Sequence, residues 1–296
     1  MNRVSVVVVT FNAIPWIEPC LESVRGHEVV VVDNGSTDGT LGLVRKHFPE
    51  AVVVEAKNRG LGAGWNRGLE HASGEYVLLL NADAWAVDDA VERLAAFLDA
   101  HERAAVVGPL LRNPDGSLQR SVRGFPTLWR LATEYFFLRK LAPWTDVLNG
   151  FYAGGFDHDA EREVEWLMGA ALLVRPQAVA EVGGLDEEFF LFSEEVDLAW
   201  RLQQAGWEIW FTPEPEVTHV GGASHQGQLF KEQLRGHLRF LAKHRGEAYA
   251  ERARRLLAWS LRLRGLVFRG GRGRMYREGG RWLRSASVAG LLAEPR

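Results

Sequence analysis

Tyr76-Val77-Leu78-Leu79-Leu80-Asn81-Ala82-Asp83-Ala84-Trp85 decides the reading of this chain, because its apolar run stops abruptly at a lone carboxylate. Consecutive apolar residues bounded by polar ones describe a strand buried on both faces, the kind found in a parallel sheet covered by helices. Asp83 then sits at a strand's carboxyl end, where loops leaving an open α/β sheet form the ligand crevice. The competing reading is that Asp83 only stops the strand or caps a helix predicted over Val87 to Leu98.

Upstream, the same grammar repeats. Val4 to Phe11 is a continuous β-branched run and Glu28 to Val32 is a second buried strand, with a helical pattern over Ile14 to Val24 between them. The second strand empties into Asp33-Asn34-Gly35-Ser36-Thr37-Asp38-Gly39, rich in residues that tolerate positive φ or bond their own backbone. A helix over Thr40 to Phe48, a strand over Ala51 to Glu55, a Gly-rich turn and another helix lead back to the opening stretch. Strand and helix alternate over residues 4–98, so the fold class is α/β, a mostly parallel Rossmann-like sheet flanked by helices.

Downstream the rhythm loosens. Val106 to Gly108 is a short strand, residues 112–159 lose their period, and Glu165 to Arg175 is strand-like. Pro176 opens a short helix, Ser193 is placed to cap a helix from Glu194 to Ala205, and Trp207 to Phe211 is a strand. Two Arg-rich helical segments, broken at Gly246 and Gly265, follow Gln226. The expected division is 1–225, with halves 1–108 and 109–225, and a basic helical region over 226–296.

The bulk composition is that of a core-forming protein: 296 residues, 47% hydrophobic and 25% charged. The formal charge of −3 conceals an asymmetry, since residues 231–284 carry 16 Lys/Arg against 4 Asp/Glu. Cys20 is the single cysteine, which excludes a disulfide framework and suggests a reducing, intracellular setting. The chain opens directly into a strand without a leader-like segment, and no apolar run approaches a membrane span.

Three groups carry chemistry. Gly60, Gly62 and Gly64 imitate a dinucleotide turn, but Trp65 stands where the third glycine belongs and two strands precede the turn, which argues against nicotinamide binding. The same parts suit a nucleotide held by several strand ends. Asp33 and Asn34 bond a base or ribose, Asn58 to Gly62 admits close backbone approach, and Asp83 holds Mn2+ or Mg2+ against a diphosphate, with His219 as a nitrogen ligand. Turn formation and a structural histidine are the plain alternatives. Glu194, Glu195 and Asp197 form the third group: acids in a helix's first turn complement its dipole, yet a carboxylate there can also deprotonate an acceptor hydroxyl.

These pieces in this order resemble family 2 glycosyltransferases of the GT-A fold, in their rhamnosyltransferase-like branch. The resemblance rests on Val7 to Asn12, Val31 to Gly39, Asn58-Arg59-Gly60, Asn66-Arg67-Gly68, Leu79 to Asp83, Met168-Gly169-Ala170, Gly183 to Asp186 and Glu194 to Arg201. It implies that Thr10, Asn12, Asp33 and Asn58 contact the nucleoside and that Asn66 and Asn81 contact the donor. Phe11, Asn34, Gly60, Gly62 and Ala82 complete the donor set. Asp83 closes the DXD-type motif and binds the metal, and His219 is a second ligand. Glu195 stands at the position of the family's base, with Glu194 and Asp197 beside it. Trp166, Met168 and Gly169 shape the acceptor side. Two departures stand out: Asn81 replaces the first acid of the motif, and Glu195 replaces the usual aspartate.

The implied activity is inverting transfer from a UDP- or dTDP-sugar to a hydroxyl of a glycan or polyprenyl-linked acceptor, in the cytoplasm or peripherally on the inner membrane face. The rivals are a nucleotide-sugar-binding protein without turnover and a nicotinamide-dependent oxidoreductase. The C-terminal mixture of arginines with Leu256, Leu257, Trp259, Leu263 and Phe268 suits an anionic membrane surface. Nucleic acid is not expected, since no nucleic-acid-binding motif accompanies the charge. A helix packed with arginines outward is the alternative, and the Trp-rich surface also suits a homodimer.

Overall fold

The computed structural model describes residues 3–221 and 229–294, which form two compact units. The first gathers residues 3–122, 158–190 and 194–221; the second gathers 123–157, 191–193 and 229–294. The boundary expected at 225/226 lies outside the described residues.

The first unit is built on a ten-stranded sheet among the described residues. Its main strands are β1 (Val4–Thr10), β2 (Glu28–Asp33), β3 (Val52–Glu55), β4 (Tyr76–Asn81), β5 (Ala84–Ala86), β6 (Ala104–Arg112), β7 (Ala171–Val174) and β8 (Glu208–His219). They lie in the order β3-β2-β1-β4-β7-β6-β8-β5, with Leu118–Gln119 and Arg162–Glu163 attached to β6 and β8. The first four strands are mutually parallel, as alternation with helices dictates. β7 enters antiparallel between β4 and β6, and β8 runs parallel to β6.

Period-two alternation of β1 explains how both sheet faces are covered. Val4, Val6 and Val8 join Leu78, Leu80, Ile17, Cys20, Leu94 and Leu98 in one apolar layer. Val7 and Val9 face the helix Leu61–His71, which approaches through its glycines. A Cβ on Gly64 would lie 2.7 Å from Val9 Cγ1, and one on Gly68 would overlap Val7 Cγ1. These glycines of the Gly-rich turn are thus consumed by helix–sheet packing.

Several boundaries differ from expectation. The strand expected over residues 106–108 extends over Ala104–Arg112, and the one over 207–211 runs on to His219 through a register shift between Phe211 and Glu216, where two prolines interrupt the ladder. Residues 165–175 split into Trp166–Leu167 and β7. Asp83 neither caps a helix nor ends the sheet: β5 intervenes, and the next helix, Ala90–Ala100, begins beyond Asp89.

The second unit is helical among its described residues. It includes Leu128–Tyr135, which lies in the stretch read as irregular, and Phe230–Arg245, Glu247–Val267, Gly270–Ser285 and Val288–Ala293. Gly265 does not break its helix; it gives room to Arg277, whose Cγ would lie 2.7 Å from an added Cβ. The Gly- and Arg-rich segment Gly270–Ser285 is also helical. Its spacing puts Gly273, Tyr276, Gly279, Gly280 and Leu283 on the buried face and Arg274, Arg277, Arg281 and Arg284 outside. Burial of His237 lowers its pKa to about 4, so that imidazole is neutral inside this unit.

Candidate active site

Strand register builds the first part of the site. Thr10 pairs with Asp33 and Val9 with Asn81, so the ends of β1, β2 and β4 form one row. Asp33 is buried, and its Oδ2 accepts the N–H groups of Gly35 and Ser36 at 3.2 and 3.0 Å. Its Oδ1 and the hydroxyl of buried Thr10 have no protein partner among the described residues. Two buried oxygens without partners on paired strand ends are costly unless a ligand meets them. They suit the hydrogen-bond donors of a base or ribose.

Around this row the predicted residues divide. Asn12, at φ 54°, accepts from Thr37 N–H at 2.8 Å and so fastens the first loop to the second. Asn34 donates to the Gly60 carbonyl at 3.3 Å, and Asn58 accepts from Gly60 N–H at 3.1 Å. Gly60, at φ 108°, comes so close to the Phe190 backbone that a Cβ would lie 2.7 Å from Phe190 Cα. Asn12, Asn34 and Asn58 thus shape the cradle, while Phe11 leaves its ring 44% exposed. Asn66 bonds the Leu185 backbone in both directions at 2.9 Å and also reaches Glu187, so its amide is engaged within the protein.

The second part follows from β5. It runs antiparallel to β8 with Ala84 opposite His219, and Val220 N–H donates to the Asp83 carbonyl. Asp83 Oδ1 thereby comes 3.4 Å from His219 Nε2, both side chains being largely buried. The other ring nitrogen, Nδ1, is 2.7 Å from Gln119 Oε1. Gln119 Nε2 donates to Asn113 Oδ1 and the His219 carbonyl, which orients its Oε1 to accept. Nδ1–H therefore donates to Gln119, which leaves Nε2 turned towards Asp83. One carboxylate oxygen and one imidazole nitrogen converging fit Mn2+ or Mg2+, which take few protein ligands and leave the rest to phosphate and water. Among the described residues no cluster of three or more His, Cys, Asp or Glu side chains is present to hold a metal. Behind Asp83, burial first and then the Asp83 charge raise the Cys20 thiol pKa, so this cysteine is inert.

The third part is the start of the helix Glu194–Gln204. Gly62 lets the helix Leu61–His71 sit against Glu194, 3.4 Å from the Glu194 Cβ for an added methyl. Glu194 is buried, and desolvation, then the neighbouring Glu195 charge, raises its pKa well above the ordinary range. Glu195 is half-buried and borders Gly169: a Cβ there would lie 3.7 Å from Glu195 Cβ and 2.9 Å from the ring of Trp65. Trp65 is fully buried beneath Gly169. Asp197 is separated from the pair, wholly buried and held by Arg201 at 2.7 Å, so it anchors its own helix. Ser193, expected as that helix's cap, has φ 74°, and Phe192 has φ 68°, outside the extended backbone of an N-cap.

Met168 and Trp166 flank Gly169, Met168 N–H donating to the Ser121 carbonyl and Trp166 being buried. Asn81 N–H donates to the carbonyl of Ala170, the residue before β7, and Ala82 is buried beside it. Sequence reasoning missed Gln119 and Trp65. Gln119 lies 100 residues from His219 in a two-residue strand with no local signal. Trp65 carried a signal: a large aromatic inside a glycine-rich turn needs somewhere to go.

A profile described as glycosyl transferase family 2 matches residues 5–164. The N-acetylglucosaminyl-diphospho-decaprenol L-rhamnosyltransferase of Mycobacterium tuberculosis is 34% identical over 235 residues, covering 72% of this chain and 75% of that protein. Rhamnosyltransferase WbbL of Escherichia coli is 23% identical, covering 82% and 94% respectively. Among solved structures, GalNAc-T7 with UDP, GalNAc and Mn2+ aligns with a TM-score of 0.59 at 16% identity, over 99% of this chain and 56% of that one. Mannosyltransferase PcManGT of Pyrobaculum calidifontis, with GDP-Man and Mn2+, aligns with a TM-score of 0.56 at 20% identity, over 95% and 80%. The fold is the GT-A fold, and the chain belongs to glycosyl transferase family 2.

Proposed function

We propose that the chain is an inverting glycosyltransferase that moves a hexose or deoxyhexose from a UDP- or dTDP-sugar to a hydroxyl of a polyprenyl-linked glycolipid or growing polysaccharide. Its place of work is the cytoplasmic face of a membrane. The observation that carries this reading is the convergence of Asp83 and His219 at 3.4 Å, with Gln119 orienting the imidazole, beside the row of strand ends. The named acceptor of the mycobacterial relative, a diphospho-decaprenol, supports a lipid-linked acceptor here.

Thr10 and Asp33 receive the nucleoside on their orphaned oxygens, and the exposed ring of Phe11 offers it an apolar face. Asp83 and His219 would hold Mn2+ or Mg2+, which when bound would supply positive charge against a diphosphate. Gln119 positions His219 for that task. Glu195 takes the acceptor proton as the acceptor oxygen bonds to the anomeric carbon. The bond from that carbon to the diphosphate oxygen breaks, and its electron pair leaves with the nucleoside diphosphate. Burial, then the Glu195 charge, favours the protonated form of Glu194, which eases the repulsion between these neighbouring carboxyls at the helix start. Trp65 and Gly169 form the floor on which the acceptor sugar meets Glu195.

The test is sugar transfer by Glu195→Ala with a panel of UDP- and dTDP-sugars. Loss of a general base lowers turnover by about 10^2–10^4-fold. Donor affinity, measured by calorimetry, stays within about twofold. Full turnover in Glu195→Ala would remove the base from this residue. Donor binding without transfer by the wild-type chain, across lipid-linked acceptors, would favour a binding protein.

A further inference from the structure

The helix Glu247–Val267 buries Ala250, Ala253, Leu257 and Leu261 in the second unit, as an amphipathic helix should. Its outer face is not polar. Trp259, Leu263, Leu266 and Val267 are 61, 46, 76 and 75% exposed. Arg252, Arg255 and Arg262 are exposed as well, and the spacing 252, 255, 259, 262/263, 266 places all of them on one face. Arg262 lies over the Trp259 ring at 5.7 Å, so cations and apolar groups interleave within one stripe.

Charge on this part of the chain is predominantly positive. Residues 247–284 hold eleven arginines against three glutamates. Arg269, Arg272, Arg274, Arg281 and Arg284 continue the exposed cationic series beyond the helix. The same unit also exposes Leu141, Trp144 and Val147, each about 70% accessible. Among the described residues no helix is long and apolar enough to cross a membrane.

We infer that this face of the helix Glu247–Val267 docks on an anionic lipid bilayer, its Trp and Leu side chains entering the headgroup boundary and its arginines meeting lipid phosphates. A bilayer satisfies both halves of the stripe at once: apolar residues gain hydrocarbon, and cations gain anionic headgroups. Nucleic acid would match the arginines but leave Leu263, Leu266 and Val267 against a phosphate backbone. A second copy on a two-fold axis would set arginine stripe against arginine stripe. The inference stands apart from the sugar chemistry, since neither donor nor acceptor enters it.

The experiment is co-sedimentation of the full chain with vesicles of phosphatidylcholine alone or with about 30% phosphatidylglycerol, alongside the variant Trp259→Ser/Leu263→Ser/Leu266→Ser. All three positions are solvent-exposed, so the variant keeps the wild-type melting midpoint. The expected result is binding to anionic vesicles only, weakened at least tenfold in the variant and weakened by salt. Charge reversal at Arg255 and Arg262 gives a similar loss with the apolar residues intact. Wild-type protein that ignores anionic vesicles, or a triple variant that binds them as well as wild type, overturns the inference. So does a wild-type dimer, seen by light scattering, that the variant dissolves while vesicle binding is absent, or tight binding to a DNA duplex in its place.

Discussion

Glu194 and Glu195 are neighbours in sequence that differ in burial, and the proposed function gives them opposite tasks. Glu194's folded pKa lies above its unfolded value of about 4.3. Its contribution to stability is therefore complete below that value and is lost as pH rises towards the folded pKa. Glu194→Gln should flatten the fall of the melting midpoint as pH rises above about 4.3 and leave the variant more stable than wild type at the alkaline end. It should also retain transfer activity, whereas Glu195→Gln should not; a matching loss in both would assign the base to the pair. Gln119→Ala frees the imidazole of His219 to turn. Calorimetric Mn2+ affinity of the nucleotide-bound protein should drop about 10–100-fold, with the melting midpoint nearly unchanged. Gln119→Glu, which still accepts from Nδ1–H, should restore most of it. At this scale Asp83 was legible because a lone acid ended an apolar run. Gln119 was not, because its partner is 100 residues away and only strand pairing brings them together.

Elements were legible where both faces of a strand are buried, since β1, β2 and β4 then read as unbroken apolar runs. Their limits were harder. β8 runs past two prolines by shifting register, and β5 is three residues of alanine and tryptophan that local sequence assigns to nothing. Glycines played two parts. Gly60, Gly62 and Gly64, whose likeness to a dinucleotide turn fails at Trp65, pack closely against Phe190, Glu194 and Val9. Gly265 suggested a helix end but admits a crossing helix. Gly68→Ala tests the packing role, because the added Cβ would overlap Val7 in a full core. It should cost about 1–3 kcal/mol in denaturant unfolding. Gly42→Ala, with open space around it, should be neutral or stabilising.

Across the whole molecule, the sheet unit holds every residue proposed for the transfer, and the helical unit carries the excess of arginines and the exposed tryptophans. Net charge hid this, since an acidic majority nearly cancels a basic C-terminal region. The central claim is that strand ends, Asp83 and His219 together hold a nucleoside diphosphate with a divalent cation. The most direct measurement is the melting midpoint of wild type and Asp83→Ala with UDP or dTDP, each with and without Mn2+. A diphosphate at 100 times its dissociation constant adds about 2.7 kcal/mol, seen as a raised midpoint. That rise is expected for wild type with one of the two nucleotides only when Mn2+ is present, and it should disappear in Asp83→Ala. No shift with either nucleotide, or an equal metal-dependent shift in Asp83→Ala, would contradict it.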